Sequence, residues 1–175
     1  MITLEINAKT AEISRILKET LDPQKLRDAM MSANKNAVQK TQIVSDTTEN
    51  VRSRFNLEYK IGSKGIKTRS NTETAQVLYS GERYPLHSFK HSPRTIMGGR
   101  NTQHLISSVE KGENRDEYPA FRTRRSIFER ISSQRFPIRR KYGASLPEMV
   151  SKSDVRERIS KQMFKRYELE LLKRL

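Results

Sequence analysis

The feature that most constrains the fold of this chain is a long stripe of apolar and small residues in its first third. Asp22 followed by Pro23 is typical of a helix start, because Asp caps free amides and Pro fits the first turn. Residues 24–61 then contain no glycine and no proline. The stripe recurs every three or four residues, at Leu26, Met30, Ala33, Ala37, Thr41, Val44, Thr48, Val51 and Phe55. This spacing predicts one helix of about 30 residues with a narrow buried face.

The composition of this stripe indicates what the helix packs against. Its alanines and threonines are poor anchors for an isolated two-stranded coiled coil. We therefore expect the helix to pack across a sheet or against a neighbouring subunit. Upstream, Ile2, Leu4 and Ile6 alternate with polar residues, which is typical of a short strand or of the start of a helix. Residues 11–21 have helical spacing.

The middle of the chain has the pattern of short strands and loops. Period-two alternation or β-forming residues predict strands at 73–79, 105–112, 121–123 and 127–130. Residues 84–101 contain Pro85, Pro93, Gly98 and Gly99 with little apolar content, and they predict a long loop.

The final segment has the pattern of an amphipathic helix. Ser153 and Asp154 are good N-caps, and apolar residues follow at Val155, Ile159, Met163, Phe164, Tyr167, Leu171, Leu172 and Leu175. The expected fold is α+β, with a long N-terminal helix, a small mostly antiparallel β-sheet and a C-terminal helix packed on it. We expect one structural domain with a helical region at 1–60, a β-rich region at 61–151 and the final helix at 152–175.

The net charge of +15 is unevenly distributed along the 175 residues. Basic and acidic residues balance in residues 1–50, so the whole excess lies in residues 51–175. Such a field attracts nucleic acid or acidic protein surfaces. No apolar run approaches the about 20 residues that span a bilayer, and the N-terminus has no signal-peptide pattern. We therefore expect no membrane partner and a protein that works where it is made or travels with a larger assembly.

Candidate catalytic groups do not converge on a known arrangement. The absence of cysteine excludes disulfides, thiol catalysis and cysteine-ligated zinc. His87 and His91 lie in the predicted loop, and we interpret them as surface histidines. Residues 62–68 lack the Gly-Lys-Ser/Thr succession of a phosphate-binding loop, and the carboxylates of 113–117 suit a solvated turn. We expect no catalytic, cofactor-binding or metal-binding residues and a protein that is not an enzyme.

Clusters of basic residues are the stronger functional signal. They predict a surface that faces DNA nonspecifically or faces a partner protein, and no base-reading motif accompanies them. Intersubunit salt bridges and a solvated helix face explain them equally well. The candidate contact residues are Arg122, Arg124, Arg125, Arg139, Arg140 and Lys141. The last helix adds Arg158, Lys161 and Lys165.

Three successive segments carry a resemblance to a known family. Tyr118-Pro-Ala-Phe121 is followed by Ser126-Ile-Phe-Glu-Arg130 and by Phe136-Pro-Ile-Arg-Arg-Lys-Tyr-Gly-Ala-Ser-Leu-Pro-Glu-Met149. This succession resembles the minor tail protein Z family of tailed phages, across residues 103–175. Chemically the motif is that of a scaffold. We expect Phe121, Phe128 and Ile138 to form one buried sheet face, Pro137 to pre-set a turn, Gly143 to permit a tight bend, and Pro147 to delay the last helix.

The resemblance implies a role in tail completion or head–tail joining. Family members are similar to tail-terminator and neck proteins, which are α+β subunits that assemble into rings. It implies a homo-oligomeric ring, with a hexamer as one candidate, in the neck of the virion tail after synthesis in the host cytoplasm. Its neighbours would be tail terminator, tube and connector proteins, and genomic DNA would pass through the lumen. The alternative from the residues alone is a nonspecific DNA-binding protein that uses its basic second half.

Overall fold

The structure is a computed structural model that describes residues 2–5 (backbone), 22–92, 105–117, 120–123, 126–134 and 136–174. Helices and antiparallel sheets share the chain, which confirms the α+β class. The predicted helical spacing at 11–21 lies outside the described residues.

The predicted single N-terminal helix is two helices, α1 (Pro23–Ala37) and α2 (Lys40–Arg54). Asp22 caps α1 as expected, accepting from the Gln24 amide at 3.0 Å. The prediction of one continuous helix is wrong because the backbone leaves the helical conformation at Gln39. The Arg166 guanidinium donates to the freed Ala37 carbonyl at 3.3 Å, so a distant side chain stabilises the break.

The break also changes which residues the helices bury. The stripe holds through Ala37, but in α2 the buried positions are Ile43, Thr47, Asn50 and Val51. Thr41, which the stripe assigned to the core, is exposed. The buried positions of α2 therefore do not continue the stripe of α1, because each helix turns a different set of residues towards the sheet and the C-terminal helix.

A three-stranded antiparallel sheet lies under these helices, in the order β1 (Ile2–Glu5), β3 (Ala75–Tyr79), β2 (Ile66–Ser70). A short 3-10 turn, Ser63–Gly65, precedes β2. Ala75, Val77 and Tyr79 are fully buried, as alternation on one sheet face requires. The Tyr79 hydroxyl lies 3.0 Å from the Thr47 hydroxyl of α2. The predicted strands at 2–7 and 73–79 are therefore confirmed where they are described.

The C-terminal part contributes α3 (Leu146–Ser151) and α4 (Ser153–Arg174), and α4 packs on both N-terminal helices. The start of α4 agrees with its predicted caps. Its buried residues recur every four positions at Val155, Ile159, Met163, Tyr167 and Leu171. Burial of each of the aliphatic and Met side chains among them contributes about 1.5–3 kcal/mol. Leu172 was expected on this face but is 73% exposed.

Helix α3 corrects the expectation that Pro147 delays helix formation. Ser145 and Glu148 form a capping box, in which each side chain accepts a hydrogen bond from the other residue's backbone amide. Proline is compatible with the first turn because its missing N–H has no helical acceptor there. The helix therefore begins at Leu146.

Three smaller antiparallel sheets replace the single predicted sheet: β4–β11, β5–β6–β7 and β8–β9–β10. Their strands are β4 (Arg83–Pro85), β5 (Lys90–Ser92), β6 (Ile106–Ser108), β7 (Arg115–Asp116), β8 (Ala120–Arg122), β9 (Ile127–Arg130), β10 (Ile138–Arg140) and β11 (Tyr142–Ser145). The long loop predicted at 84–101 is wrong for 84–92, which hold β4, a 3-10 turn (Leu86–Ser88) and β5. The remainder, 93–101, lies outside the described residues.

Two apolar clusters support this arrangement. The larger one lies between the helices and the β1–β3–β2 sheet. The smaller one, formed by Leu86, Leu105 and Ile127, lies beneath the β8–β9–β10 sheet. The motif segments of the family resemblance, which run from β8 into α3, therefore contribute to both clusters, through Ile127 to the smaller one and through Leu146 and Met149 to the larger one.

Candidate interaction surface on the β8–β10 sheet

The β8–β9–β10 sheet places aromatic and basic residues on one face. Phe128 of β9 pairs directly with Phe121 of β8 and with Arg140 of β10, and Arg130 pairs with Ile138. Directly paired residues point to the same side of a sheet. These five residues therefore form one surface, which we call the Arg–Phe face.

The Arg–Phe face is ordered by ring and cation contacts. The Phe121 and Phe128 rings stack with centroids 6.3 Å apart and planes 28° apart. The Arg130 guanidinium carbon lies 5.5 Å from the Phe121 centroid, and that of Arg140 lies 5.8 Å from the Phe128 centroid. Each cation–π contact is worth about 0.5–1 kcal/mol at an exposed site. Neither arginine forms an ion pair with a carboxylate of the described residues.

Three apolar side chains on or beside this face are open to solvent. Ile138 is 36% exposed, and Ile131 and Phe136 in the turn between β9 and β10 are each 61% exposed. The expectation that Phe121, Phe128 and Ile138 form a buried face is therefore wrong, since the phenylalanines are half-buried and Ile138 is exposed. The physical reason is that the small core takes the other face of this sheet, through Ile127.

The opposite face carries an ion-pair network. The Lys141 ammonium lies 2.5 Å from Glu117 and 3.3 Å from Glu129. Arg139 also pairs with Glu129, and the Ser107 hydroxyl donates to Glu117. The hydrogen bond from Arg139 lowers the pKa of Glu129, with Lys141 contributing further. Burial alone would lower the pKa of Lys141, but its two carboxylate partners together raise it.

The predicted contact residues therefore separate into two groups. Arg140 lies on the Arg–Phe face, whereas Arg139 and Lys141 are engaged by carboxylates on the opposite face. Arg122 lies in β8 and is half-buried. Arg124 and Arg125 lie outside the described residues. Of the basic residues in the last helix, Arg158 donates to the Ser53 hydroxyl at 2.7 Å, and Lys161 and Lys165 are exposed.

Arg130 is absent from the predicted contact residues. Its position two residues after Phe128 places both on the same strand face, so the alternation in residues 127–130 carried the signal. Its contact with Phe121 depends on the pairing of β8 with β9, which the sequence pattern did not specify.

The remaining motif residues act in the scaffold. Pro137 follows Phe136 through a cis peptide bond. Gly143 lies against the Phe89 ring, where an added Cβ would collide with ring carbons. Position 143 therefore requires glycine because the backbone there approaches the Phe89 ring closely. We had expected this glycine to permit a tight bend. Pro147 lies in the first turn of α3.

The two histidines each lie within hydrogen-bonding distance of a neighbouring protein group. His91 is buried, which corrects its interpretation as a surface residue, and its Nδ1 lies 2.7 Å from the Phe89 carbonyl oxygen. His87 lies 3.2 Å from the Ser126 hydroxyl. Its pKa is lowered by burial and by the nearby charges of Arg140, His91 and Arg122. The described residues contain no group of three or more His, Asp or Glu that could hold a metal ion.

A second ion-pair network connects α2 with the start of α4 and with Glu110. Arg54 of α2 pairs with Asp154 of α4 at 2.6 Å and with Glu110 at 3.2 Å, and Lys152 pairs with Glu110 at 2.8 Å. Hydrogen bonding from Lys152, followed by that from Arg54, lowers the pKa of Glu110.

No helix in the described part of the chain has the length and apolar character to cross a bilayer.

No protein-family profile, curated protein or solved structure matches this chain. The resemblance of residues 103–175 to the tail protein family therefore stays a prediction.

Proposed function

We propose that this chain is a structural subunit of a tailed phage, a minor tail or tail completion protein that acts at the head-proximal end of the tail and joins it to the connector. It would work as a homo-oligomer, in a tail-terminator-like ring, and would contact tube and neck proteins. The proposal assigns it a mechanical role with no catalytic step.

The observation that carries the proposal is the Arg–Phe face. It lies within the segment that resembles the tail protein family, and it exposes Ile138 beside Arg130 and Arg140. Exposed apolar residues rimmed by charge mark protein contact sites. Interface cores are enriched in aromatic residues and arginine and depleted in lysine. The exposed cations of this sheet are arginines, and Lys141, which directly follows β10, is held inward by carboxylates.

The net charge supports a position beside DNA. With +15 on 175 residues, copies of this chain would repel one another in isolation but would line a DNA channel favourably. A ring around the genome would place many such charges close to phosphates without any base-specific contact.

A second candidate function is nonspecific DNA binding by the isolated protein. A separate basic segment favours it, in which the side chains of Lys60, Lys64, Lys67 and Arg69 are all exposed. No acidic residue lies between Glu58 and Glu73. Affinity for duplex DNA that falls steeply with salt would support it, and Lys64→Ala and Lys67→Ala would each reduce the salt slope by about one.

Complementation of a phage that lacks this gene tests the main proposal. We expect such a phage to accumulate unjoined heads and tails, and a wild-type copy to restore particles. Ile138→Asp on the Arg–Phe face should fail to restore them, whereas Lys67→Asp on the exposed side of β2 should succeed. Normal particles in the absence of the gene would contradict the proposal.

A further inference from the structure

The outer edge of β10 is unpaired among the described residues. Strand β10 pairs only with β9 there, so it is an edge strand of its sheet. The Lys141 amide donates to Ile127 at 2.9 Å and the Ile131 amide donates to Pro137 at 3.2 Å. Hydrogen-bonded pairs alternate with non-hydrogen-bonded pairs in an antiparallel ladder. The amide and carbonyl groups of Ile138 and Arg140 therefore point away from β9, towards a further strand.

The side chains beside this edge define what such a strand would carry. Ile138 and Arg140 lie on the Arg–Phe face, two positions apart. A strand added to β10 would place one residue opposite Ile138 and another opposite Arg140, and cross-strand partners stabilise a sheet when apolar meets apolar and opposite charges meet. The complementary pattern is an acidic residue and an apolar residue separated by one position.

The local charge selects an acidic partner. Within described residues 120–142 there are five cationic side chains and one carboxylate. The carboxylate, Glu129, is already engaged by Arg139 and Lys141 on the other face. A second copy of this face would bring like charges together, which disfavours symmetric self-association.

The ring contacts disfavour nucleic acid at this face. Phe121 and Phe128 stack on each other, and each has a guanidinium over its ring. A base could stack on these rings only by displacing an arginine. The planar guanidinium groups can still donate two parallel hydrogen bonds to a carboxylate. The β10 edge offers carbonyl acceptors as well as amide donors, which match the backbone of an added strand, whereas a phosphate group has no donor for the carbonyls.

We propose that β10 receives an extended acidic segment of a partner protein, which adds to the sheet as a strand with a carboxylate on Arg140 and an apolar side chain on Ile138. This inference rests on the proposed function, because it names the kind of contact through which the subunit would hold a neighbouring tail protein.

Titration of the full-length protein with peptide probes tests this inference. The first probe is a short peptide in which Glu and Ile alternate at every second position, with Thr between them. The second has Lys in place of every Glu. We expect the Glu peptide to bind and to shift the NMR amide signals of Ile138 and Arg140, and the Lys peptide not to bind.

Two substitutions locate the contact. Arg140→Ala should weaken the Glu peptide by about fivefold, the upper range for one cross-strand charge pair, and Arg140→Glu should reverse the preference towards the Lys peptide. Arg69→Ala is the matched control, because Arg69 is an exposed arginine on the edge strand β2. It should leave the affinity unchanged.

Several results would overturn the inference. These are equal binding of both peptides, an equal loss with Arg69→Ala, shifts confined to other parts of the protein, or a duplex oligonucleotide that competes for the Ile138 and Arg140 signals. The titration uses the isolated protein, so an absence of Glu-peptide binding would reject the acidic partner segment and would not bear on the tail proposal. Normal particles without the gene would remove the tail proposal alone.

Discussion

The Lys141 ammonium lies 2.5 Å from the Glu117 carboxylate, on the side of the β8–β9–β10 sheet that is opposite the Arg–Phe face. Glu117 follows β7, and Lys141 lies between β10 and β11. Both side chains are mostly shielded from solvent, with 23% and 11% exposure for Lys141 and Glu117. The ion pair therefore joins two sheets from the side opposite the Arg–Phe face, so that Arg140 faces outward beside an inward-facing lysine.

Loss of this lysine should destabilise the protein. Lys141→Met leaves Glu117 and Glu129 with one cation fewer, and an uncompensated polar group in a shielded position costs about 1–3 kcal/mol. Chemical denaturation should show this decrease in the free energy of unfolding. The double variant Glu117→Gln with Lys141→Met should recover part of it, because both sides of the pair are then neutral. A single variant as stable as the wild type would contradict the role given to this pair.

Acid should weaken the fold through Glu110 and Glu129. Their pKa values are lowered from the ordinary value of 4.5, so their stabilisation is complete above that value and is lost as pH falls through the folded-state pKa. The melting temperature should therefore decrease as the pH is lowered below about 4.5. Glu110→Gln should reduce this acid sensitivity, since it removes one of the carboxylates whose pKa is lowered in the folded protein. An unchanged acid profile in that variant would count against the Arg54–Glu110–Lys152 network.

The hydroxyl pair of Tyr79 and Thr47 gives a test of the main core. Burial, the largest effect, raises the pKa of Tyr79 to about 12. Spectrophotometric titration should show a tyrosine that stays protonated to about this pH, and Tyr79→Phe should remove it. The single variant should cost about 1–2 kcal/mol because the Thr47 hydroxyl loses its partner. Thr47→Val combined with Tyr79→Phe should be less destabilising than the sum of the two changes.

Two glycines form a matched pair for testing the packing beneath β11. Gly143→Ala would push a Cβ into the Phe89 ring, which is fully buried, and overpacking of this kind costs about 1–3 kcal/mol. Gly62→Ala has open space around its Cβ and a negative φ of −80°. It should be neutral or stabilising by up to about 1 kcal/mol. Equal unfolding midpoints for the two variants would contradict the close contact of Gly143 with Phe89.

The sequence predicted elements whose pattern is local. The four-residue recurrence from Val155 to Leu171 and the alternation in residues 127–130 were visible without any knowledge of partners. The break between α1 and α2 was not visible, because no glycine or proline marks it. The side chain that satisfies the freed Ala37 carbonyl is Arg166, which is distant in sequence.

The exposure of the Arg–Phe face was predicted incorrectly for a similar reason. Phe121, Phe128 and Ile138 have the pattern of a buried face, and which sheet face meets the core depends on where Ile127 packs. That contact involves Leu86 and Leu105, from parts of the chain expected to be loop or another strand. The sequence shows that basic residues cluster here. It does not show that Lys141 faces inward and Arg140 outward, which follows from the pairing of Lys141 with Glu117 in the structure.

Electron microscopy of particles that carry a labelled copy of this chain tests the central claim most directly. The account predicts label at the head-proximal end of the tail, in several symmetric copies, and its loss from that position when Ile138→Asp is introduced. Label absent from purified particles, together with a monodisperse monomer in solution, would contradict the account.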